Sequence, residues 1–175
     1  MTRLSFERSI ERLRALGLVE ANEQPVLPAR MPRYDDEEPL GVNVFRMLVE
    51  TGDCSGLTLP RTFFGRSEIN AVSFANTDLS ESNFCWNDFI DVSFEGADLS
   101  RSDMRASNWT RASFRDADLN GADLRRSLFE ACDFTGARME GVVLADTLEI
   151  TSVLSAEQIA AIAWAAEEGP EPDGG

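Results

Sequence analysis

The chain has 175 residues, a net charge of −15 and no histidine, and its sixteen basic residues are all arginine. Without histidine it lacks Ser-His and Cys-His nucleophile pairs and imidazole metal ligands, and its charge would repel nucleic acid. Its three cysteines include no CxxC pair, which argues against a zinc site and a disulfide framework. We therefore expect no enzyme, no cofactor, no metal and no direct nucleic-acid binding.

The first predicted element is a helix from about Phe6 to Leu16. Phe6, Ile10 and Leu13 lie on one face of it, and Gly17 is a suitable stop. The N-terminus lacks the apolar core of a signal peptide, and no stretch reaches the roughly 20 apolar residues that span a bilayer. We expect a cytoplasmic protein without membrane contact.

A segment rich in proline and acid follows the helix. It contains Pro25, Pro28, Pro32 and Pro39 and the acidic run 35–38. Proline disfavours helices and central strands, and like charges repel one another. This composition therefore predicts an extended and exposed linker.

A second apolar segment contains Val44, Phe45, Leu48 and Val49. We predict a short helix that covers the end of the following domain, and a strand is the alternative that the pattern leaves open. Residues 1–56 are too few, and too often interrupted by proline, for a core of their own. They are therefore predicted to form an N-terminal cap.

From residue 57 to residue 146 the chain repeats every five residues. Eighteen large apolar residues stand five apart: Leu59, Phe64, Ile69, Phe74, Leu79, Phe84, Phe89, Phe94, Leu99, Met104, Trp109, Phe114, Leu119, Leu124, Phe129, Phe134, Met139 and Leu144. The residue two places before each of them is small at most steps. Neither a helix nor a strand produces this period, so the segment must be a repeat solenoid.

The types of the large residues repeat every twenty positions. Two such series are Leu59, Leu79, Leu99 and Leu119, and Phe74, Phe94, Phe114 and Phe134. A closed coil of four short edges brings like residues together, with the large residue and its small partner inside and the other three positions outside. At twenty residues per coil the segment makes about 4.5 coils.

Three stretches carry a resemblance to a known family: ADLNGADLRR (117–126), GADLSRSDM (96–104) and FTGARME (134–140). They resemble the pentapeptide-repeat proteins, whose consensus is A(D/N)LXX. The resemblance implies an all-β solenoid, a right-handed quadrilateral parallel β-helix, over residues 57–146. It implies little about function, because one fold serves many roles.

Carboxylates are the remaining candidates for catalysis or cation binding. Asp78, Asp98 and Asp118 recur every twenty residues, and so do Asp103 and Asp123. Such columns can hold a cation or form an acid–base pair. The second consensus position is also where a short acceptor stabilises each turn, and we favour that role.

Residues 147–175 are predicted to be a C-terminal capping helix and an acidic tail. Ser155 and Gln158 form a capping box, so the helix should begin at Ala156 and run past Trp164. Trp164 lies off the apolar face of this helix. It either wraps over the last coil, which we favour, or contacts a second subunit, so we expect a monomer or a dimer formed through this helix.

The outward positions of the β-helix are compatible with two functions. The less favoured of the two is mimicry of DNA. Some pentapeptide-repeat proteins, including the Qnr-type quinolone-resistance proteins, are acidic dimeric rods that bind DNA gyrase. Residues 57–146 carry fifteen acids and nine arginines, so only −6 of the net charge belongs to the rod. Pairs across coils would interrupt an acidic stripe: Glu81 with Arg101, Asp91 with Arg111, Glu95 with Arg115 and Asp146 with Arg126.

The favoured function is a rigid platform for protein–protein interaction with an unknown protein partner. The candidate residues project from one face: Arg66, Trp86, Arg105, Arg125 and Arg126, with Ile90 just past the corner and Cys85 as an accessible thiol. Tryptophan and arginine often dominate binding energy. In the competing interpretation the linker covers Trp86, and the arginines only neutralise Asp103 and Asp123.

Overall fold

The computed structural model describes residues 2–36, 41–145, 150 and 153–165 and shows a parallel β-helix of about six turns. Its strands are β1 (Asn43–Phe45), β2 (Leu48–Asp53), β3 (Phe63–Gly65), β4 (Glu68–Ser73), β5 (Asp88–Ile90), β6 (Asn108–Thr110), β7 (Leu128–Glu130), β8 (Val143–Leu144) and β9 (Ala163–Trp164). Helix α1 (Phe6–Ala15) covers one end, and helix α2 (Ala156–Ala161) precedes β9. No helix within these residues is long and apolar enough to cross a membrane.

Each coil has four faces, which we name A to D in chain order. Their inward-pointing ladder residues are Val44, Phe64, Phe84, Met104, Leu124, Leu144 and Trp164 on face A; Val49, Ile69, Phe89, Trp109 and Phe129 on face B; Cys54, Phe74, Phe94, Phe114 and Phe134 on face C; and Leu59, Leu79, Leu99, Leu119 and Met139 on face D. Paired strands join residues twenty apart, as Ile69 with Phe89. The prediction of four pentapeptides per coil is confirmed.

Stacked aromatic rings fill the middle of the β-helix. Phe74, Phe94 and Phe114 stack with ring centroids 5.4 Å apart, and Phe89 lies 4.2 Å from Trp109 with the two planes nearly parallel. Burying one such side chain typically contributes about 1.5 to 3 kcal/mol. This stack is therefore the main source of stability.

The aspartate columns hold the turns. Asp78 Oδ1 accepts a hydrogen bond from the backbone N–H of Ser80 at 3.0 Å, and Asp98 Oδ1 accepts one from Ser100 at the same distance. The geometry thus agrees with the favoured role of these aspartates, which is to stabilise the turns. Across residues 2–36, 41–145, 150 and 153–165, no cluster of three or more potential ligand side chains could hold a metal ion.

The β-helix begins earlier than predicted. Strand β1 pairs with β3 and β2 pairs with β4, so residues 43–53 already belong to the first coil. The helix predicted around Val44 and Val49 is wrong, and the strand alternative is right. The ladder residues of this coil, Val44, Val49 and Cys54, are smaller than the phenylalanines and leucines above them and hide the period. For this reason the predicted start at residue 57 is too late, and the predicted count of 4.5 coils is too low.

The predicted N-terminal helix is confirmed as α1. The Ser5 hydroxyl caps its N-terminus, Gly17 ends it with a φ of +74°, and Ile10 and Leu13 are buried against the first coil. Glycine suits the stop because residues with a Cβ adopt this left-handed conformation at a cost.

The C-terminal cap differs from the prediction beyond its first turn. Helix α2 begins at Ala156 behind the predicted capping box, but it ends at Ala161. Strand β9 follows and pairs with β8, so that Trp164 lies opposite Leu144 on face A. Trp164 thus lies against the last coil, but it is only partly covered, with 44% of it exposed. The acidic tail lies outside the described residues.

Candidate protein interface at one corner of the β-helix

An extended strap, residues 28–36, crosses the first coils of face A. Hydrogen bonds join it to the coils at three points: Arg61 Nη1 to the Pro28 carbonyl at 2.7 Å, Asn83 Nδ2 to the Pro32 carbonyl at 3.1 Å, and the Tyr34 hydroxyl to the Cys85 carbonyl at 2.8 Å. The linker is therefore extended, as predicted, but this part of it is packed on the fold.

Packing next to the strap changes the role of Cys85. The Tyr34 ring meets Phe63 edge-on at 4.9 Å, and Cys85 is only 1% exposed. Burial raises the pKa of the Cys85 thiol, and the nearby Asp103 carboxylate raises it further. The predicted accessible thiol is wrong, because the strap adds a layer outside a position that points away from the coil.

Arg105 and Arg125 belong to an ion ladder on face A. Arg105 Nη2 lies 2.7 Å from Asp103 and its Nε 3.7 Å from Asp123, while Arg125 Nη2 lies 2.6 Å from Asp123. Burial raises the pKa of Asp103, but the hydrogen bonds from Arg105 outweigh it and hold that pKa below its usual value. The side chains of Arg105 and Arg125 are only 13% and 17% exposed. These two arginines therefore neutralise Asp103 and Asp123, as the competing interpretation expected.

The other candidates lie at corner A/B, the turn between faces A and B. One residue of each described coil occupies this turn: Arg46, Arg66, Trp86, Ala106 and Arg126, which we call the corner column. All five have φ between 51° and 63°, a region that residues other than glycine enter at a cost. Strands in a sheet lie about 4.8 Å apart, so the column is roughly 19 Å long.

The corner column borders an open groove of about 580 Å³. Arg66, Trp86 and Ala106 line it on the column side, and Glu68, Asp88 and Asn108 line it on face B. Trp86 is half-buried, whereas Arg46, Arg66 and Arg126 are exposed. The strap's hydrogen bonds stop at Cys85, one residue before Trp86.

Two predicted residues lie away from this groove, and one residue was missed. Ile90 is half-buried on face B beyond Asp88, and Trp164 lies on β9 near the C-terminal end. The missed residue is Arg46, which precedes Arg66 by twenty residues; this spacing is a usable signal, but the predicted first coil begins after Arg46.

Face A and its corner carry more arginine than acid. Among the described residues they hold five arginines and two aspartates, whereas each other face with its following corner holds more acids than arginines. Two of the predicted pairs are confirmed, Glu81 with Arg101 at 3.3 Å and Asp91 with Arg111 at 2.7 Å.

The third predicted pair, Glu95 with Arg115, is wrong. Arg115 instead lies 3.0 Å from Asp133, on the next coil of the same face. The fourth pair, Asp146 with Arg126, lies outside the described residues because of Asp146.

Residues 67–144 match the family model described as a pentapeptide repeat region. A solved pentapeptide repeat protein from the Arabidopsis thaliana thylakoid lumen is 29% identical, with a TM-score of 0.52 over 54% of this chain and 67% of that one. A pentapeptide repeat protein from Nostoc PCC 7120 is 21% identical, with a TM-score of 0.47 over 59% of this chain and 84% of that one.

The plasmid-mediated fluoroquinolone resistance protein QnrB1 is more distant. A trypsin-treated variant of it is 14% identical, with a TM-score of 0.34 over 60% of this chain and 65% of that one, and this likeness carries no argument about function. No curated protein matches the chain. The five-residue ladder, the four-faced coil and the family match agree, and residues 67–144 of this chain are a pentapeptide repeat region.

Proposed function

We propose that this chain is a non-catalytic module that binds a protein partner at corner A/B. The observation that carries the proposal is the composition of the corner column, which combines three arginines with a half-buried tryptophan beside an open groove.

The β-helix suits such a role because it presents the column rigidly. Parallel pairing at twenty-residue register fixes the spacing of Arg46, Arg66 and Trp86 before any partner arrives. A rigid surface loses little conformational entropy on binding. The fold therefore offers tryptophan and arginine, the side chains most often dominant at interfaces, in a preorganised row.

A non-catalytic role is supported by the use of the aspartates. Asp78 and Asp98 accept backbone hydrogen bonds within turns, and Asp103 and Asp123 bind arginines on face A. These carboxylates already have structural partners, so they are poorly placed to move protons for a substrate.

Site-specific photo-crosslinking tests the proposal. A benzophenone amino acid at Ala106 lies in the groove, and the same group at Ala131 is the matched control, because this alanine occupies the same turn position at corner B/C with a φ of 53°. We expect a discrete protein adduct in cells from position 106 alone, and we expect Trp86→Ala to abolish it. Equal adducts from both positions, or none from position 106, would remove corner A/B as the binding site.

The alternative function remains a DNA mimic that binds gyrase. It is kept open by face B with its corner, whose described outward residues include five acids and one arginine. A supercoiling assay with purified gyrase separates the two functions. Inhibition, or protection from quinolones, at up to stoichiometric protein would replace our proposal, whereas corner A/B binding predicts no effect.

We also propose Trp164 as a contact between two copies of the chain. It is exposed on β9, the last described strand, beyond which no described strand pairs. Light scattering on the purified protein and on Trp164→Ala tests this contact. We expect a dimer for the wild type and a monomer for the variant, and a wild-type monomer would contradict it.

We propose a cytoplasmic location because the described cysteines form no disulfide. Cys54, Cys85 and Cys132 are all free and buried. Unpaired thiols are usual in reducing compartments, where disulfides rarely persist. Cell fractionation would test the location, and recovery with an oxidising compartment would contradict it.

A further inference from the structure

We infer that the partner anchors itself at corner A/B by inserting an aromatic side chain into a pocket between the strap and the first two coils. The inference rests on the proposed function and names the chemistry of the contact that the partner supplies. It follows from three aromatic rings that meet near Arg46, from the open volume beside them and from the charges around that volume.

The pocket lies on face A, next to the first residue of the corner column. Its volume is about 150 Å³, and we call it the aromatic pocket because its lining contains three rings: Tyr34, Phe45 and Phe63, together with Arg33, Asp36 and Asn43. The ring centroid of Phe63 lies 4.9 Å from that of Tyr34 and 6.1 Å from that of Phe45. Tyr34 and Phe45 are 6.5 Å apart and steeply inclined to each other. The three rings thus form walls of one pocket.

Gly65 makes room for this arrangement. It pairs with Phe45 in the outward column of face A. A Cβ at this position would lie 2.8 Å from the ring of Phe63 and 2.9 Å from the hydroxyl of Tyr34, which is closer than such atoms pack. On the next coils the same column carries Cys85, Arg105 and Arg125. The aromatic pocket is therefore a feature of the first two coils.

The strap covers these rings only in part. Phe63 is 6% exposed, whereas Phe45 is 39% exposed and lies beneath the guanidinium of Arg46, 5.1 Å from ring centroid to Cζ. Leu48, on the other side of Arg46, is exposed as well. An arginine of the corner column is thus flanked by accessible apolar side chains. Arginine and aromatic residues beside a pocket are typical of the positions that dominate binding energy.

The aromatic pocket is continuous with the proposed interface. Tyr34, one of its walls, donates a hydrogen bond to the Cys85 carbonyl at 2.8 Å, and Trp86 is the next residue. Trp86 stands two coils from Arg46, which is roughly 10 Å at the usual strand spacing. About three residues of extended chain span that distance. One partner segment along the corner column can therefore contact Trp86 and fill the pocket.

The size of the pocket matches one aromatic ring. An apolar cavity of about 150 Å³ holds one benzene molecule, which is the size of a phenylalanine ring. Aromatic rings also pack favourably against one another when they meet edge to face, as Tyr34 and Phe63 already do. A further ring is therefore the occupant that these walls favour.

The charges around the pocket disfavour an ionic occupant. Arg33 lines the pocket and Arg46 lies over Phe45, so a cation would be repelled. Asp36 does not offset them, because it accepts a hydrogen bond from Arg30 at 3.2 Å and one from the backbone N–H of Arg33 at 2.8 Å. A carboxylate would lose its hydration against three rings.

The yield of the crosslinked adduct from position 106 gives the first test on the full chain. We expect Phe45→Ala to lower this yield at least about tenfold, because it removes one wall of the pocket. Phe45→Tyr, which restores a ring, should recover most of the yield, and Phe45→Leu should not. Leu128→Ala is the matched control, since Leu128 is an exposed apolar residue at the far end of face B, and it should change the yield less than about twofold. Circular dichroism verifies that each variant folds.

Saturation-transfer NMR gives the second test, with the N-acetyl amides of phenylalanine, leucine and lysine as probes. We expect the strongest transfer to the phenylalanine probe, and we expect Phe45→Ala to remove it. Equal or stronger transfer to the leucine or lysine probe would overturn the inference. An adduct that persists in Phe45→Ala would overturn the inference and leave the proposed function standing, whereas the absence of any adduct from the wild type would refute the proposed function itself.

Discussion

Corners A/B and C/D use the same turn but different residues. Corner C/D carries Gly56, Asn76, Gly96, Asp116 and Gly136, all with positive φ, and these residue types enter the left-handed region most readily. Corner A/B has the same backbone conformation with arginine, tryptophan and alanine. The conformational preference of the turn accounts for corner C/D, but it does not account for the tryptophan and the three arginines of corner A/B.

The difference shows which positions of a repeat protein can vary with its function. Inward positions are set by packing, and the consensus aspartates are set by the turns, so neither distinguishes one pentapeptide-repeat protein from another. The turn residue is free to vary at a modest energetic cost. Corners B/C and D/A also carry residues other than glycine, asparagine and aspartate, as Ala71 and Arg101 show. What distinguishes corner A/B is the combination of a tryptophan with three arginines.

The largest expected effect comes from removing the strap's support of corner A/B. Tyr34→Ala loses the ring contact with Phe63 and the hydrogen bond to Cys85, and we expect a loss of about 2 to 3 kcal/mol in the free energy of unfolding. Urea denaturation measures this loss. The Cys85 thiol should also become reactive toward Ellman's reagent, while Cys54 and Cys132 stay protected.

Tyr34→Phe is the matched control for the strap. It keeps the ring contact and loses only the hydrogen bond, so about 1 kcal/mol is expected. If Tyr34→Ala leaves both stability and Cys85 unchanged, the strap does not hold the corner.

Placing a side chain at corner C/D should be the next largest effect. A Cβ at Gly136 would enter the left-handed region and overlap Asp116 Oδ1. We expect Gly136→Ala to lose about 1 to 2 kcal/mol by urea denaturation. Gly141→Ala is the control, because its φ is +68° and its Cβ would meet nothing within 4 Å. It should cost less, and an equal cost would show that the overlap adds nothing.

The reverse substitution at corner A/B should give a small gain. Ala106→Gly relieves the left-handed conformation of Ala106, offset by the greater freedom of glycine in the unfolded chain. We expect a gain of up to about 1 kcal/mol in the free energy of unfolding. A loss would mean that the corner is not strained, and would remove the energetic contrast between the two corners.

Acid should produce the smallest effect, and it should act at the face that precedes corner C/D. Hydrogen bonds from Thr135, aided by Arg115, lower the pKa of Asp133 to about 2. Since this is below the unfolded value of about 3.9, the stabilisation is complete above pH 4 and is lost as the pH falls toward 2. Asp133→Asn should show a shallower decline of stability in this window. An unchanged decline would exclude Asp133 as a contributor.

The sequence was sufficient for the fold wherever the ladder residues are large. From Leu59 to Leu144 the phenylalanines and leucines mark both periods, and each face follows from counting. The first coil escaped because Val44, Val49 and Cys54 are too small to mark it, although each stands twenty residues before a recognised ladder residue.

The candidate site was predictable only in part, because contacts between distant segments decide burial. Counting places Cys85 outside the coil, but nothing local shows that Tyr34, fifty-one residues earlier, packs there. Counting also separates Trp86 from Arg105 by position alone. It cannot show that Arg105 binds Asp103 while Trp86 stays half-exposed beside a groove.

The most direct test of a function located at corner A/B uses two proteins that each have two arginines changed to glutamate. It measures the yield of the crosslinked adduct from position 106 in each of them. We expect Arg46→Glu with Arg66→Glu to lose the adduct and Arg101→Glu with Arg111→Glu to keep it at the wild-type level. Equal yields in the two proteins would contradict a binding role for the corner column.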